Sequence, residues 1–171
     1  MSIPDTPPDR QLDHPGPIPR TTAASARPPH LRWRYLGLVA FGGAVGTAAR
    51  EALSLTVPSV GGVPVIILAI NVVGAFALGC LLDSLTRRGA DEGARRAARL
   101  LLGTGVLGGF TTYSALATGT SLLLTAGQAG AAIAYGLTTV VLGGLATFAG
   151  IATASVTHRS RSGAPARKRN G

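Results

Sequence analysis

The sequence predicts an all-α membrane protein of four transmembrane helices, with a break in the third. Three observations predict it. Hydrophobic residues make up 46% of the chain and charged residues only 13%, and the apolar residues fall in long uncharged blocks. Apart from Arg50, the arginines are confined to three segments between and outside those blocks. One block is interrupted in its middle by glycines and hydroxyl residues, Gly105-Val106-Leu107-Gly108-Gly109-Phe110-Thr111-Thr112-Tyr113-Ser114.

A helix needs about 20 apolar residues to cross the hydrocarbon core. Val63–Leu82, Leu100–Leu124 and Gly130–Val156 each meet that length without a charge. The first span is less clean, because Arg50-Glu51 follows the uncharged run Tyr35–Ala49; one helix over 35–57 places the charged pair near an interface. The expected spans are 35–57, 63–83, 97–124 and 130–156, within a four-helix transmembrane unit covering 33–157. Residues 1–32 are rich in proline, arginine and small polar groups and read as a disordered tail, as does the basic segment 158–171.

The net charge of +9 does not indicate nucleic acid, since the basic residues form flanking clusters rather than one folded face. Arg10, Arg20, Arg27, Arg32 and Arg34 precede the first span, Arg87, Arg88, Arg95, Arg96 and Arg99 lie between the second and third, and Arg159, Arg161, Arg167, Lys168 and Arg169 follow the fourth. In a four-span chain these regions share one side, so the positive-inside bias predicts both termini cytoplasmic, in a multi-pass protein of the cell membrane. Trp33 and Tyr35 among arginines suit the headgroup layer, and the basic C-terminal tail suits anionic lipid. Cys80 is alone, which excludes a disulfide within the chain. His14, His30 and His158 all fall outside the spans, and no paired carboxylates occur at membrane depth, so catalysis is not expected.

Within the spans, Gly42 and Gly46 have GxxxG spacing, the pattern of close helix packing. Arg50 must snorkel, pair with Glu51 or face a wet vestibule. Asn71 sits seven residues inside the second span, with Gly74 on its face; its amide makes either an interhelical hydrogen bond or part of a pore lining. The interruption in the third span predicts backbone that leaves the helical ladder where protein or water satisfies its freed groups, and such a turn can bind ions. The other reading is a continuous glycine-rich packing helix. Tyr135, Thr139 and Gly143 recur every fourth residue along the last span.

Gly43-Ala44-Val45-Gly46 with Arg50, Asn71-Val72-Val73-Gly74, and above all Gly108-Gly109-Phe110-Thr111-Thr112-Tyr113-Ser114 together resemble the fluoride channel family called Fluc or CrcB. The similarity spans all four helices and leaves out both tails. It implies an antiparallel, dual-topology dimer that passes fluoride passively and so lowers its cytoplasmic toxicity, with a structural sodium ion at the dimer centre. By the same resemblance, Asn71, Tyr113, Ser114, Tyr135 and Thr139 line the anion pore, Gly108 and Thr111 hold sodium through backbone carbonyls, and Arg50 lies at the vestibule.

Two family phenylalanines correspond here to Tyr113 and Leu116, and Leu116 has no electropositive ring edge to offer an anion. Gly143 stands where a polar residue is expected, and Ile67 adds no hydroxyl. A chain that pairs with its own inverted copy needs balanced arginines on both sides. The lopsided arginines favour a related subunit of opposite orientation over self-pairing. Two rival readings are a four-helix proton-coupled drug exporter, for which Glu51 is the one candidate acid, and a non-conducting subunit that supports a partner.

Overall fold

Glycine, rather than bulky side chains, sets how these helices meet. The computed structural model describes residues 33–162, and the sequence-predicted tail 1–32 lies outside the described residues. Helix α1 covers Trp33–Thr56 and α2 Val65–Thr86. The third hydrophobic segment is composite: α3 at Gly93–Ala98, a π-helical stretch at Arg99–Leu107, one turn of α4 at Gly108–Phe110, and α5 at Tyr113–Thr125. Helix α6 covers Ala129–Ser162 and so continues past the expected boundary at 157 into the basic segment.

Three helical runs are long and apolar enough to cross a membrane, Val65–Thr86, Gly93–Thr125 and Ala129–His158. The expected first span coincides with α1, whose 24 residues reach about 36 Å at 1.5 Å each. Its four glycines, Thr47 and the Arg50-Glu51 pair dilute its hydropathy, which keeps it out of that set. The third run begins at Gly93 rather than at 97, so the C-terminal part of the expected charged loop is helical.

Two glycine seams join the four segments. In the first, an added Cβ on Gly42 would meet Leu101 O and, at 3.0 Å, Gly105 Cα; on Gly46 it would meet Val106 O and, at 2.8 Å, Phe110 N. Gly109 sits as closely on the Gly43 backbone. The partner numbers rise together, so α1 runs parallel to the third segment. In the second seam Gly79 lies against Thr147 O, Gly150 lies against Phe76 O, and the Cys80 thiol reaches Gly150 O at 3.2 Å. Phe76 lies beside Gly150 and, further along both helices, Asp83 lies beside Ser155, so α2 and α6 are parallel as well. Chain direction alternates from one segment to the next, which gathers the start of α1, the 87–92 connection and the end of α6 at one end of the bundle.

The connection at the opposite end is a tight hairpin. Val60 and Val63 exchange backbone hydrogen bonds of 3.0 Å around Gly61 and Gly62, whose φ values of 59° and 84° are ones that glycine adopts without a Cβ clash. The buried apolar cluster is small, with Leu116, Leu123, Ala132 and Tyr135 at its centre. Large side chains such as Phe41, Val73, Leu137, Val140, Leu145 and Phe148 face outward. A surface this apolar suits lipid or another subunit rather than water.

Candidate functional site

The third segment leaves the helix over two residues. Thr111 (φ −77°, ψ 153°) and Thr112 (φ −151°, ψ 124°) are extended, while Gly105 through Phe110 stay helical. The break predicted over Gly105–Ser114 is thus corrected to Thr111–Thr112. Gly105 and Gly109 before it serve the seam with α1, where a Cβ would not fit, and packing offsets their low helix propensity.

Each freed group at the break can be followed. The Thr112 N–H donates to Asn71 Oδ1 at 2.8 Å, and Asn71 Nδ2 donates to the Thr112 carbonyl at 3.1 Å. Thr112 is also the N-cap of α5, its hydroxyl accepting the Ala115 N–H at 3.2 Å. In an unbroken helix the Thr112 N–H would go to the Gly108 carbonyl and the Ala115 N–H to the Thr111 carbonyl. Both donors are diverted, so the carbonyls of Gly108 and Thr111 lose their helical partners together. Thr111 itself is anchored by its own N–H and hydroxyl, both donating to Leu107 O at 2.9 Å. Its methyl rests over Gly74, where a Cβ would collide with it.

A groove of about 440 Å³ runs beside the break and brings together Asn71, Gly108, Thr111, Tyr113 and Thr139. Leu116, Val140, Gly143 and Thr147 complete its apolar and open portions. Asn71 keeps one N–H and one acceptor site beyond its two bonds to Thr112. Tyr113 projects outward, 82% exposed. The Thr139 hydroxyl donates to Tyr135 O at 2.7 Å, so within this chain its proton is committed and its oxygen is left to accept.

Two predicted pore residues lie elsewhere. Ser114 lines a second groove of about 450 Å³ with Ser59, Gly62, Pro64 and Thr118, its hydroxyl 3.0 Å from that of Thr112. Tyr135 is buried against Leu116, Leu123 and Ala132, and its hydroxyl has no partner among the described residues. Arg50 stands apart on α1, with Nη1 3.4 Å from Glu51 and a buried Nε lacking a partner among the described residues. Of the sequence-stated options for Arg50, pairing with Glu51 is the one seen. Thr112 had no separate role in the sequence reading, although a threonine just before a helical run is a recognisable capping signal.

The described residues contain no group of three His, Cys, Asp or Glu side chains able to hold a metal ion. Among the described residues a cation at the break would find carbonyl and hydroxyl oxygens, the donor type suited to a hard ion.

Residues 37–151 match the family model described as CrcB-like protein, Camphor Resistance (CrcB). The chain belongs to the CrcB family. Its relatives include the fluoride-specific ion channel FluC 2 of Leifsonia xyli subsp. xyli, 54% identical over 68% of this chain and 80% of that protein. The fluoride-specific ion channel FluC 1 of Cutibacterium acnes is 51% identical over 61% of this chain and 74% of that protein. The fluoride-specific ion channel FluC of Deinococcus radiodurans is 46% identical over 63% and 82%. The matched CrcB region contains both seams, the break and the groove, and leaves out the tails.

Proposed function

We propose that the chain is one subunit of a fluoride-selective channel of the cell membrane, which lets cytoplasmic fluoride leave passively and limits its toxicity. The observation that carries this is the Thr111–Thr112 break, held open by Asn71 beside a groove that also receives Tyr113 and Thr139. Family membership and the printed names of the relatives supply the ion. Fluoride is small and strongly hydrated, so a path for it needs dense donors that replace water without holding the ion. The spare N–H of Asn71 and the ring edge of Tyr113 are donors of that kind.

The groove is open on one side, and a second subunit inverted in the membrane would close it into a pore. In this reading α1 is the fourth span, and the arginine-rich end with both termini is cytoplasmic. Gly108 and Thr111 would hold a sodium ion at the dimer centre through their released carbonyls, where it adds fixed positive charge in a weakly screened setting. The Tyr135 hydroxyl and Ser114 join the anion path only through the partner's face. Leu116 and Gly143 line the groove where a ring edge and a hydroxyl would serve an anion, and charge is lopsided along the bundle. Both features support pairing with a related chain of opposite orientation over self-pairing, with this chain conducting little by itself.

Glu51, the acid that a proton-coupled exporter would need, is exposed and paired with Arg50 rather than inside the groove. The test is fluoride efflux from liposomes containing the chain alone and the chain with a related subunit. Efflux that survives removal of any proton gradient and excludes chloride supports the channel. Proton-driven export of a cationic dye, or no flux in either preparation, overturns it.

A further inference from the structure

The five arginines from Arg87 to Arg99 are not equivalent. Arg87 pairs with Asp83 at 2.6 Å and with the Ser155 hydroxyl at 2.8 Å. Arg95 binds the carbonyls of Arg88 and Ala90, and Arg96 and Arg99 share Asp91. Arg88 has no hydrogen bond or ion pair from its side chain among the described residues. It lines a notch of about 60 Å³ between the ends of α2 and α6, together with Ser84, Ala154, Thr157 and His158.

The Ser84 hydroxyl also lacks a partner among the described residues, whereas the Thr157 hydroxyl is turned back to the carbonyls of Thr153 and Ala154. Asp83, the nearest carboxylate in sequence, is neutralised by Arg87. An uncommitted guanidinium, a hydroxyl and an imidazole around a space for one small group are the chemistry of phosphate recognition. The notch also sits near the C-terminal ends of two membrane-capable helices, α2 ending at Thr86 and α6 at Ser162, which is headgroup depth. Basic pockets between helices at that depth bind lipid headgroups.

We propose that Arg88, Ser84 and His158 bind the phosphate of an anionic phospholipid. The proposal rests on the charged end lying at a membrane surface and not on fluoride conduction, so either can fail alone. It is tested on the full chain in detergent, by native mass spectrometry of retained lipid and by the thermal midpoint, with phosphatidylglycerol, phosphatidylcholine or inorganic phosphate added. Phosphatidylglycerol is expected to be retained and to stabilise the chain. Arg88→Ala is expected to weaken its retention about five- to tenfold, with Arg88→Lys and Ser84→Ala intermediate and both still folded. Arg169→Ala removes the same charge from the tail and should change retention by less than about twofold. Equal losses in Arg88→Ala and Arg169→Ala, equal retention of phosphatidylcholine, or full stabilisation by inorganic phosphate alone would each overturn it.

Discussion

The Asn71 carboxamide holds the Thr112 peptide from both sides, accepting its N–H at 2.8 Å and donating to its C=O at 3.1 Å. One side chain thereby satisfies the backbone of the break that lipid could not. It also diverts the donor that would otherwise occupy the Gly108 carbonyl. Asn71→Ala leaves two part-buried backbone groups unpaired, at about 1–3 kcal/mol each. Asn71→Asp keeps the acceptor but sets a carboxylate against the Thr112 carbonyl. In liposomes that also contain the related subunit both variants should lose most fluoride efflux, and Asn71→Ala should show a lower thermal midpoint. Normal efflux from a folded Asn71→Ala protein would remove this pair from the conduction path.

The glycines separate into those inside a seam and those facing open space. A methyl at Gly46 meets the Val106 carbonyl, and one at Gly150 meets the Phe76 carbonyl; both obstacles are backbone and cannot rotate away. Gly46→Ala and Gly150→Ala should each destabilise by about 1–3 kcal/mol or more through forced helix separation. Gly136→Ala meets a side-chain atom only at 4.0 Å and should be neutral or slightly stabilising, by up to about 1 kcal/mol from helix propensity. Thermal unfolding of the three variants in one detergent checks the contrast.

Gly74 links a seam to the site. Its missing side chain leaves the space taken by the Thr111 methyl, with Phe110 beside it. Gly74→Ala should push the break away from α2 and lengthen the Asn71–Thr112 bonds. The expected outcome is a fold retained at reduced stability with efflux lowered at least tenfold, and Gly74→Ala with Thr111→Ser, which removes the obstructing methyl, should recover part of both. Failure of the double variant to recover either property would show that the Gly74–Thr111 contact is not what positions the break.

How far this site was legible in the sequence depends on the residue. Asn71 in an apolar run and the glycine and threonine cluster stood out because lipid tolerates neither without partners. The extent of the break did not, because Gly105 and Gly109 weaken a helix in isolation yet strengthen one that packs on Gly42 and Gly43. Nor does a pattern of apolar residues reveal that 99–107 is wound as a π-helix, since that register depends on which carbonyl each N–H selects. The resemblance groups Ser114 with Asn71, whereas within this chain Ser114 follows the Thr112 cap and lines the groove with Ser59 and Pro64. Tyr135 and Thr139 share a stripe as their spacing implies, yet Tyr135 is covered by Leu116 and Leu123 while Thr139 reaches the groove. No count of residues distinguishes the two.

The Tyr135 hydroxyl supplies the sharpest separation of stability from function. It is buried and without a partner among the described residues, a state that costs about 1–3 kcal/mol relative to a satisfied hydroxyl. Tyr135→Phe removes only that oxygen and leaves the ring packed against Gly119 and Leu116. If the hydroxyl serves only packing, the variant gains stability and conducts normally. If it meets the anion in the assembled channel, the variant is at least as stable as the parent but carries less fluoride, by about tenfold for one lost hydrogen bond to a charged group. Opposite signs in thermal midpoint and efflux are the expected result, because a buried hydroxyl kept without a protein partner has its energetic justification in a ligand. Unchanged efflux with raised stability would take Tyr135 out of the pore and leave Asn71 and Tyr113 as its principal donors.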